Sequence, residues 1–268
     1  MAFIANWRIR KWQKKAATAY FIIGQKATTS EEREWAYHNA YICGHPKAKL
    51  FYIYAAADTF SRRKPLTPFT LATDKGESPI TVIFYDYYIR TKHLPYASKK
   101  QQEITQRVLE LKDGLNSSSD LYSEALKTLE AHFNENWKHP QGPTIIFMPC
   151  SSSQSYYNSF SVLARSLSKR YHYNTAIDAI QYTDTRQSKH RSQNRDAIES
   201  ASSIVIAPKI IGKQVIIIDY VITTGNSLHQ FARELRTYGV TIKAAVFLAQ
   251  TAKYPTDKEL FREIRKIT

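Results

Sequence analysis

A polar turn that follows an apolar strand is the part of this chain best suited to chemistry. Val215–Ile218 is a run of four β-branched apolar residues, which is typical of a strand buried on both faces of a parallel sheet. Asp219 ends the run, the turn Thr223–Ser227 follows, and apolar residues then recur at helical spacing from Leu228 to Tyr238. In such a strand–turn–helix unit, the backbone N–H groups of the turn and the helix dipole hold a phosphate group.

The side chains of the turn support the same interpretation. Gly225 lets the backbone approach a ligand closely, and the hydroxyl groups of the turn offer further hydrogen-bond donors. Asp219 stands just before the turn, where its carboxylate can accept hydrogen bonds from ribose hydroxyls. The stretch therefore predicts a ribose 5-phosphate site. The alternative is a βα turn of an ordinary α/β protein that binds nothing.

The stretch from Val215 to Leu228 resembles the phosphoribosyl pyrophosphate (PRPP) signature of type I phosphoribosyltransferases. That signature is a hydrophobic strand, two acids, two aliphatic residues and then Thr-Thr-Gly-x-Ser/Thr, and here Tyr220 replaces the second acid. In the family, the paired acids hold the two ribose hydroxyls and support magnesium. The resemblance implies that Asp219 is catalytic and a ligand of Mg²⁺, and that PRPP or a nucleoside monophosphate is bound. The substrate-binding residues that it implies are Tyr220, Thr223, Thr224, Gly225, Asn226 and Ser227.

A second polar segment follows the predicted strand Thr144–Pro149. In the resemblance it is the loop that grips the pyrophosphate of PRPP, formed here by Cys150, Ser151, Ser152 and Ser153. Hydroxyls and unpaired backbone N–H groups suit a diphosphate, although a flexible serine-rich connector is the alternative. The pattern of Pro149, Asn158 and Leu163-Ala164 is similar to the ComF-like branch, whose members are linked to DNA uptake.

A basic loop from Thr183 to Arg195 breaks all periodicity. The resemblance places here the mobile loop that closes over PRPP, and Arg186, Lys189 and His190 match its basic character as catalytic residues. A cation brought to the departing diphosphate would stabilise charge in the transition state, and closure would exclude water. The alternatives are a solvated basic loop and a contact with nucleic acid.

The alternation of apolar strands and helices predicts the fold class. Predicted strands lie at residues 80–88, 144–149, 176–182, 203–207, 215–218 and 242–248. The fold expected is α/β, a type I phosphoribosyltransferase-like parallel sheet with helices on both faces, over residues 80–268. Residues 1–79 form an N-terminal α+β extension of unknown role, with a helix over 30–43 opened by Thr29 and Glu32 and a strand over 50–56.

Composition limits the setting and the partners. The chain has 268 residues, a net charge of +15 and a pI near 9.6, which favours nucleic acid, nucleotides or an acidic protein as partners. The clusters Arg8–Lys15 and Arg62–Lys64 would carry such contacts, although a merely basic enzyme has the same charge. Two cysteines, Cys43 and Cys150, suggest no disulfide framework, and no apolar run suits a signal peptide or membrane span. We therefore expect a cytoplasmic protein away from the membrane, and the sequence is compatible with an oligomer.

Two function classes follow from these residues. The first is a PRPP-binding transferase that transfers or hydrolyses a ribose 5-phosphate group at a nucleobase-type glycosidic position. The second is a non-catalytic module of the same fold that binds nucleotide or nucleic acid, as a regulator or within a larger defence or mobile-element complex. Asp219, Thr223–Ser227 and the basic loop favour the first class, whereas Tyr220 and the positive charge favour the second.

Overall fold

The chain divides into two units, each described here by itself. A computed structural model describes residues 2–49, 51–52, 63–72, 78–91, 94, 99–183 and 204–252. The first unit comprises Met1–Lys64, Ile89–Gln102 and Ala252–Thr268, and the second comprises Pro65–Tyr88 and Glu103–Thr251. Among the described helices, none combines the length and the apolar composition that a membrane span needs.

The first unit contains two long helices, α1 (Ala2–Lys26) and α2 (Ser30–Ile42). The predicted start of α2 is confirmed, because the Thr29 side chain accepts a hydrogen bond from the N–H of Glu32 at 3.1 Å. A small core of buried residues joins the two helices to the segment that follows them: Phe21, Tyr37, Ala40, Ala48 and Tyr52.

The predicted strand at residues 50–56 is wrong where it can be compared. Phe51 and Tyr52 are helical, and residues 53–56 lie outside the described part of the chain. The Phe51 ring packs edge-on against Phe21 at 4.9 Å, and the Tyr52 ring lies 5.0 Å from that of His38. Aromatic residues favour strands on average, but here their rings find partners on helices, and tertiary packing decides the local conformation.

The second unit is built on a sheet of five strands in the order β1-β2-β7-β6-β3. In chain order, the strands of this unit are β1 (Phe69–Leu71), β2 (Ile80–Tyr88), β3 (Thr144–Phe147), β4 (Ile180–Tyr182), β5 (Ile204–Ile206), β6 (Gln214–Ile222) and β7 (Thr241–Thr251). Strands β2, β7, β6 and β3 are parallel, whereas β1 pairs antiparallel with β2. The predicted parallel sheet is confirmed for these four strands. Among the described residues 1–79, the only strand is β1.

Strands β4 and β5 correct the prediction, because they form an antiparallel pair of their own. Their sequences are apolar enough to resemble central strands, but each has only three residues. Beyond β3, the main sheet is extended by an isolated parallel bridge between Ile145 and Thr175.

Helices flank the sheet, as predicted. They are α3 (Lys99–Lys112), α4 (Ser119–Phe133), α5 (Ser153–Tyr171) and α6 (Asn226–Thr237). Helix α4 ends at Phe133, because Asn134 adopts the left-handed conformation with φ of 53° and caps the helix. Helix α5 packs on the sheet through Phe160, whose ring stacks on that of Phe147 at 5.0 Å.

The centre of the sheet is strand β6. Val215–Ile218 are fully buried, as the apolar run predicts, and burying each of these side chains contributes about 1.5–3 kcal/mol. The strand continues for four residues beyond the apolar run, to Ile222. Asp219 and Tyr220 therefore lie inside the strand and not in the turn that follows it.

Candidate ribose phosphate site

The two segments that the sequence singles out lie side by side at the carboxyl edge of the sheet. Strands β3 and β6 are parallel neighbours, with Phe147 opposite Ile218, and the N–H of Met148 donates to the carbonyl of Ile218 at 2.9 Å. The loop after β3 and the turn after β6 therefore leave the sheet at the same edge. In open α/β sheets this edge is where ligands bind.

The turn after β6 has the form expected of an anion site. Gly225 precedes α6 as its N-cap with φ of 89° and has no side chain to cap the helix, while the N–H of Asn226 donates to the Thr224 hydroxyl at 3.4 Å. The N–H groups of a first helical turn have no partner within the helix, so they can bind a phosphate. Around them Thr223, Thr224 and Ser227 are exposed, and the hydroxyl of Thr223 is hydrogen-bonded to that of Thr251 at 2.7 Å.

Gly225 is required by packing as well as by its backbone conformation. A Cβ at this position would lie 2.6 Å from Cδ2 of Leu71 in β1, and positive φ already disfavours every other residue type. The sequence predicts that Gly225 permits close approach of a ligand. In the structure, the side chain of Leu71 already lies close to Gly225. A bulky residue at 225 therefore disturbs the sheet as well as any phosphate.

Hydrogen bonds within the loop after β3 occupy part of the predicted diphosphate grip. Ser152 is the N-cap of α5, and its hydroxyl accepts the N–H of Ser155 at 3.1 Å and is bonded to the Ser155 hydroxyl at 2.9 Å. The N–H of Cys150 donates to the hydroxyl of Tyr182 at 2.8 Å, and that hydroxyl donates to the Cys150 carbonyl at 3.3 Å. Ser151 is half-buried, and Ser153 is exposed as the first residue of α5.

Asp219 is held in place from two sides. Its Oδ1 accepts the N–H of Tyr220 at 2.8 Å, and its backbone carbonyl accepts the hydroxyl of Tyr122 at 2.8 Å. Burial raises the pKa of the Asp219 carboxyl to about 7, although the Tyr220 N–H bond acts in the opposite direction. The carboxyl is therefore divided between its charged and neutral forms near neutral pH.

Tyr220 points away from the side of the sheet that carries Asp219, because successive residues of a strand face opposite ways. Its ring stacks on that of Phe160 in α5, with a centroid distance of 6.0 Å and an interplanar angle of 21°. Burial raises the pKa of the neighbouring Cys150 thiol to about 12. Tyr220 therefore packs strand β6 against helix α5.

Tyr122 is a residue of this site that the sequence does not reveal. It is buried in α4, and its hydroxyl donates to the Asp219 carbonyl in β6. The phenol therefore ties helix α4 to strand β6 at the level of Asp219. At sequence level Tyr122 is one apolar position on a helix face, so no signal could have separated it from core packing.

Magnesium fits this site only in a limited way. In the described part of the chain, no three His, Cys, Asp or Glu side chains gather into a metal site. Asp219 could supply one oxygen ligand, and Mg²⁺ is commonly held by one or two carboxylates together with substrate phosphates. The residues present therefore suit a metal that arrives with a diphosphate, and it would neutralise diphosphate charge when bound.

The three predicted catalytic cations cannot be placed. Arg186, Lys189 and His190 lie outside the described residues, which stop at Thr183 and resume at Ile204. Their roles remain predictions.

Comparison with known proteins supports the family resemblance. Residues 159–268 match the family model described as phosphoribosyl transferase domain. The match includes Asp219 and the whole turn Thr223–Ser227, and it begins after the loop Cys150–Ser153. It supports the type I phosphoribosyltransferase resemblance and a PRPP-type ligand, and it covers less than half of the chain. No curated protein matches the sequence.

Proposed function

We propose that this protein binds PRPP or a nucleoside monophosphate at the carboxyl edge of β6 and transfers or hydrolyses its ribose 5-phosphate group. The observation that carries the proposal is the strand–turn–helix unit itself, in which Gly225 leaves the start of α6 uncapped beside an exposed set of hydroxyls. The 5-phosphate would bind the N–H groups of this turn, and Asp219 would accept a ribose hydroxyl.

The remaining roles follow from the same placement. The loop Cys150–Ser153 would lie along the diphosphate, and Asp219 would hold Mg²⁺, which would neutralise charge on the diphosphate when bound. Arg186, Lys189 and His190 would approach the departing diphosphate from the basic loop, which is the role that the resemblance implies. Catalysis of this kind is mainly positioning and electrostatic stabilisation, because charge develops as the diphosphate leaves. The acceptor is a nucleobase-type group or water.

The test is calorimetric titration of the purified protein with PRPP and MgCl₂, comparing Ser227→Glu with Thr237→Glu. Both side chains are exposed on α6, about 15 Å apart along the helix, and each change adds the same charge. At the first turn an acid favours the helix dipole, so Ser227→Glu preserves folding while it repels the phosphate. Two unit charges 4 Å apart repel by about 1–4 kcal/mol, so we expect Ser227→Glu to weaken binding at least about fivefold. Equal binding by both variants would place the phosphate elsewhere.

A second candidate function is supported by helix α1. No acidic residue occurs in Ala2–Lys26, every side chain from Ile9 to Lys15 is exposed, and Trp12 is 70% exposed. Lys15 Nζ lies 5.3 Å from the Trp12 ring centroid. An exposed indole beside several cations suits stacking on a base next to phosphate contacts. This favours the alternative of a non-catalytic, nucleic-acid-binding module, and the ComF-like pattern agrees with a nucleic-acid setting.

A salt titration with single-stranded DNA tests this second candidate. Binding should be measurable at about 50 mM salt and should weaken steeply by about 200 mM, because cations on the protein release counterions. Arg10, Lys14 and Lys15 changed together to Gln should weaken binding and flatten the slope of log K against log salt by up to about three units. The matched control changes Lys127, Arg165 and Lys169 to Gln, which removes the same charge from exposed helix positions of the second unit. Equal loss in both triple variants would refute a site on α1.

A further inference from the structure

Tyr220 is the position at which this chain departs from the two-acid signature, and its surroundings show what the departure does. The ring is half-buried and stacks on that of Phe160 in α5, with a centroid distance of 6.0 Å. Phe160 also stacks on Phe147 of β3, so the ring belongs to an aromatic cluster beside the loop after β3. Packing therefore holds the ring against α5.

Among the residues of β6, all of which the structure describes, only Asp219 carries a carboxylate. A carboxylate accepts up to four hydrogen bonds and always acts as an acceptor when ionised, whereas a phenol offers one donor and one weaker acceptor. Here the ring of that phenol is held against Phe160. A sugar that presents two hydroxyls to this strand would find one carboxyl group and one aromatic ring packed against its neighbour.

Such an arrangement changes which sugars are favoured. Moving a sugar hydroxyl out of water without giving it a new hydrogen-bond partner costs binding free energy, and a sugar that lacks this hydroxyl avoids that cost. A site with acids for both hydroxyls strongly rejects the deoxy sugar, because its own buried acceptor is then left unpaired. A site with a hydrophobic ring at that position has no such acceptor to leave unpaired.

We propose that this site accepts a 5-phosphorylated pentofuranose lacking one ring hydroxyl at least as well as it accepts ribose 5-phosphate, because Tyr220 replaces the second acceptor. The proposal rests on the proposed function and names the substrate class of the same site: deoxyribose 5-phosphate groups, as in deoxynucleotides and their precursors. Asp219 serves the hydroxyl that remains.

The experiment compares three ligands by calorimetry: ribose 5-phosphate, 2-deoxyribose 5-phosphate and 3-deoxyribose 5-phosphate. The phosphate is common to all three, so the ratio of dissociation constants isolates the hydroxyls. In the wild-type protein we expect one of the two deoxy sugars to bind within threefold of ribose 5-phosphate or more tightly. A hydrogen bond to a charged group contributes a factor of about 10 to 150, so Tyr220→Asp should shift the preference towards ribose by at least about tenfold.

Tyr220→Phe is the matched control, because it keeps the stacking on Phe160 and removes only the hydroxyl. We expect its preference among the three sugars to equal that of the wild type. A selective loss of ribose 5-phosphate binding in Tyr220→Phe would show that the phenol holds a sugar hydroxyl, and would overturn the proposal. This control also decides the matter if Tyr220→Asp fails to fold, which thermal unfolding would reveal.

The outcomes separate this proposal from the proposed function. If none of the three sugar phosphates binds, the proposed function fails and the inference fails with it. If all bind but ribose 5-phosphate is preferred over both deoxy sugars by more than threefold, the site stands and the inference is overturned. If the wild type binds a deoxy sugar as well as ribose 5-phosphate and Tyr220→Asp leaves that ratio unchanged, the inference is also overturned, because Tyr220 would then not be the cause.

Discussion

Replacing Asp219 with Asn should stabilise the folded protein and weaken its ligand binding at the same time. The carboxyl has a pKa of about 7 in the fold against 3.8 for an ordinary aspartate, and burial is the main cause. The native state therefore binds this proton more tightly than the unfolded state does. As pH rises from 3.8 towards 7, the unfolded state releases this proton while the folded state retains it, so stability is lost over that window.

The size of the effect follows from the pKa difference. A difference of about 3 pKa units corresponds to an upper bound of about 4 kcal/mol at pH 8. By solvent-accessible surface Asp219 is only half-buried, so water screens part of this cost, and we expect the variant to gain about 1–2 kcal/mol in free energy of unfolding. The carboxamide oxygen of Asn can keep the bond from the Tyr220 N–H, which stands at 2.8 Å. The variant therefore loses the charge without losing the hydrogen bond.

The assay is urea unfolding of the wild type and Asp219→Asn at about pH 4, 6 and 8, across the titration range of the carboxyl. The gain in free energy of unfolding should be close to zero at pH 4 and greatest at pH 8. For a chain of this size, it corresponds to a rise in Tm of about 2–8 °C at pH 8. PRPP binding with MgCl₂ should weaken at least about tenfold, because a charged acceptor is lost.

Asp178→Asn provides a control of opposite sign. Its carboxylate is hydrogen-bonded to the Lys209 ammonium, which lowers the pKa of Asp178. The stabilisation by this pair is present above the pKa that Asp178 has in the unfolded state, so Asp178→Asn should lose stability at pH 8. The loss should be less than about 1 kcal/mol because the pair is exposed. A destabilised Asp219→Asn at pH 8, or a gain equal at pH 4 and 8, would refute the reasoning about Asp219.

Three further predictions concern contacts around the site. Gly225→Ala should lower the free energy of unfolding by about 1–3 kcal/mol in urea, because φ is 89° and the new Cβ meets Leu71. Adding Leu71→Ala should relieve only the steric part of this loss, so strictly additive losses in the double variant would contradict that contact. Tyr122→Phe should lower the free energy of unfolding by about 1–3 kcal/mol in the same assay, because the Asp219 carbonyl loses its hydrogen-bond donor. An unchanged urea midpoint would show that this hydrogen bond is weak. The Cys150 thiol, with a pKa of about 12, should resist iodoacetamide at pH 8 in the native protein and react in urea, and rapid native alkylation detected by mass spectrometry would contradict its burial.

The strands, helix caps and turns that depend only on residues close together in the chain were predictable from the sequence. The apolar run Val215–Ile218 predicts a buried central strand, and the structure places it at the centre of the sheet with all four residues fully buried. The cap of α2 by Thr29 and the strand Ile80–Tyr88 are likewise local patterns, of side-chain spacing and period, and both are confirmed. The strand–turn–helix unit around Gly225 has the same origin, because positive φ and a helix start are local demands.

The contacts that give the site its chemistry were decided only by tertiary structure. Tyr122 reaches Asp219 across 97 positions of sequence, and Tyr182 reaches Cys150 across 32. Neither separation has a period that a sequence pattern could carry. The raised pKa of Asp219 comes from burial, and the partners of Tyr220 come from the packing of β6 against α5. The sequence by itself thus predicted which strand, turn and helix form the candidate phosphate site, because those choices are local. The fold alone decided that the ring of Tyr220 packs against α5, because only packing brings distant residues together.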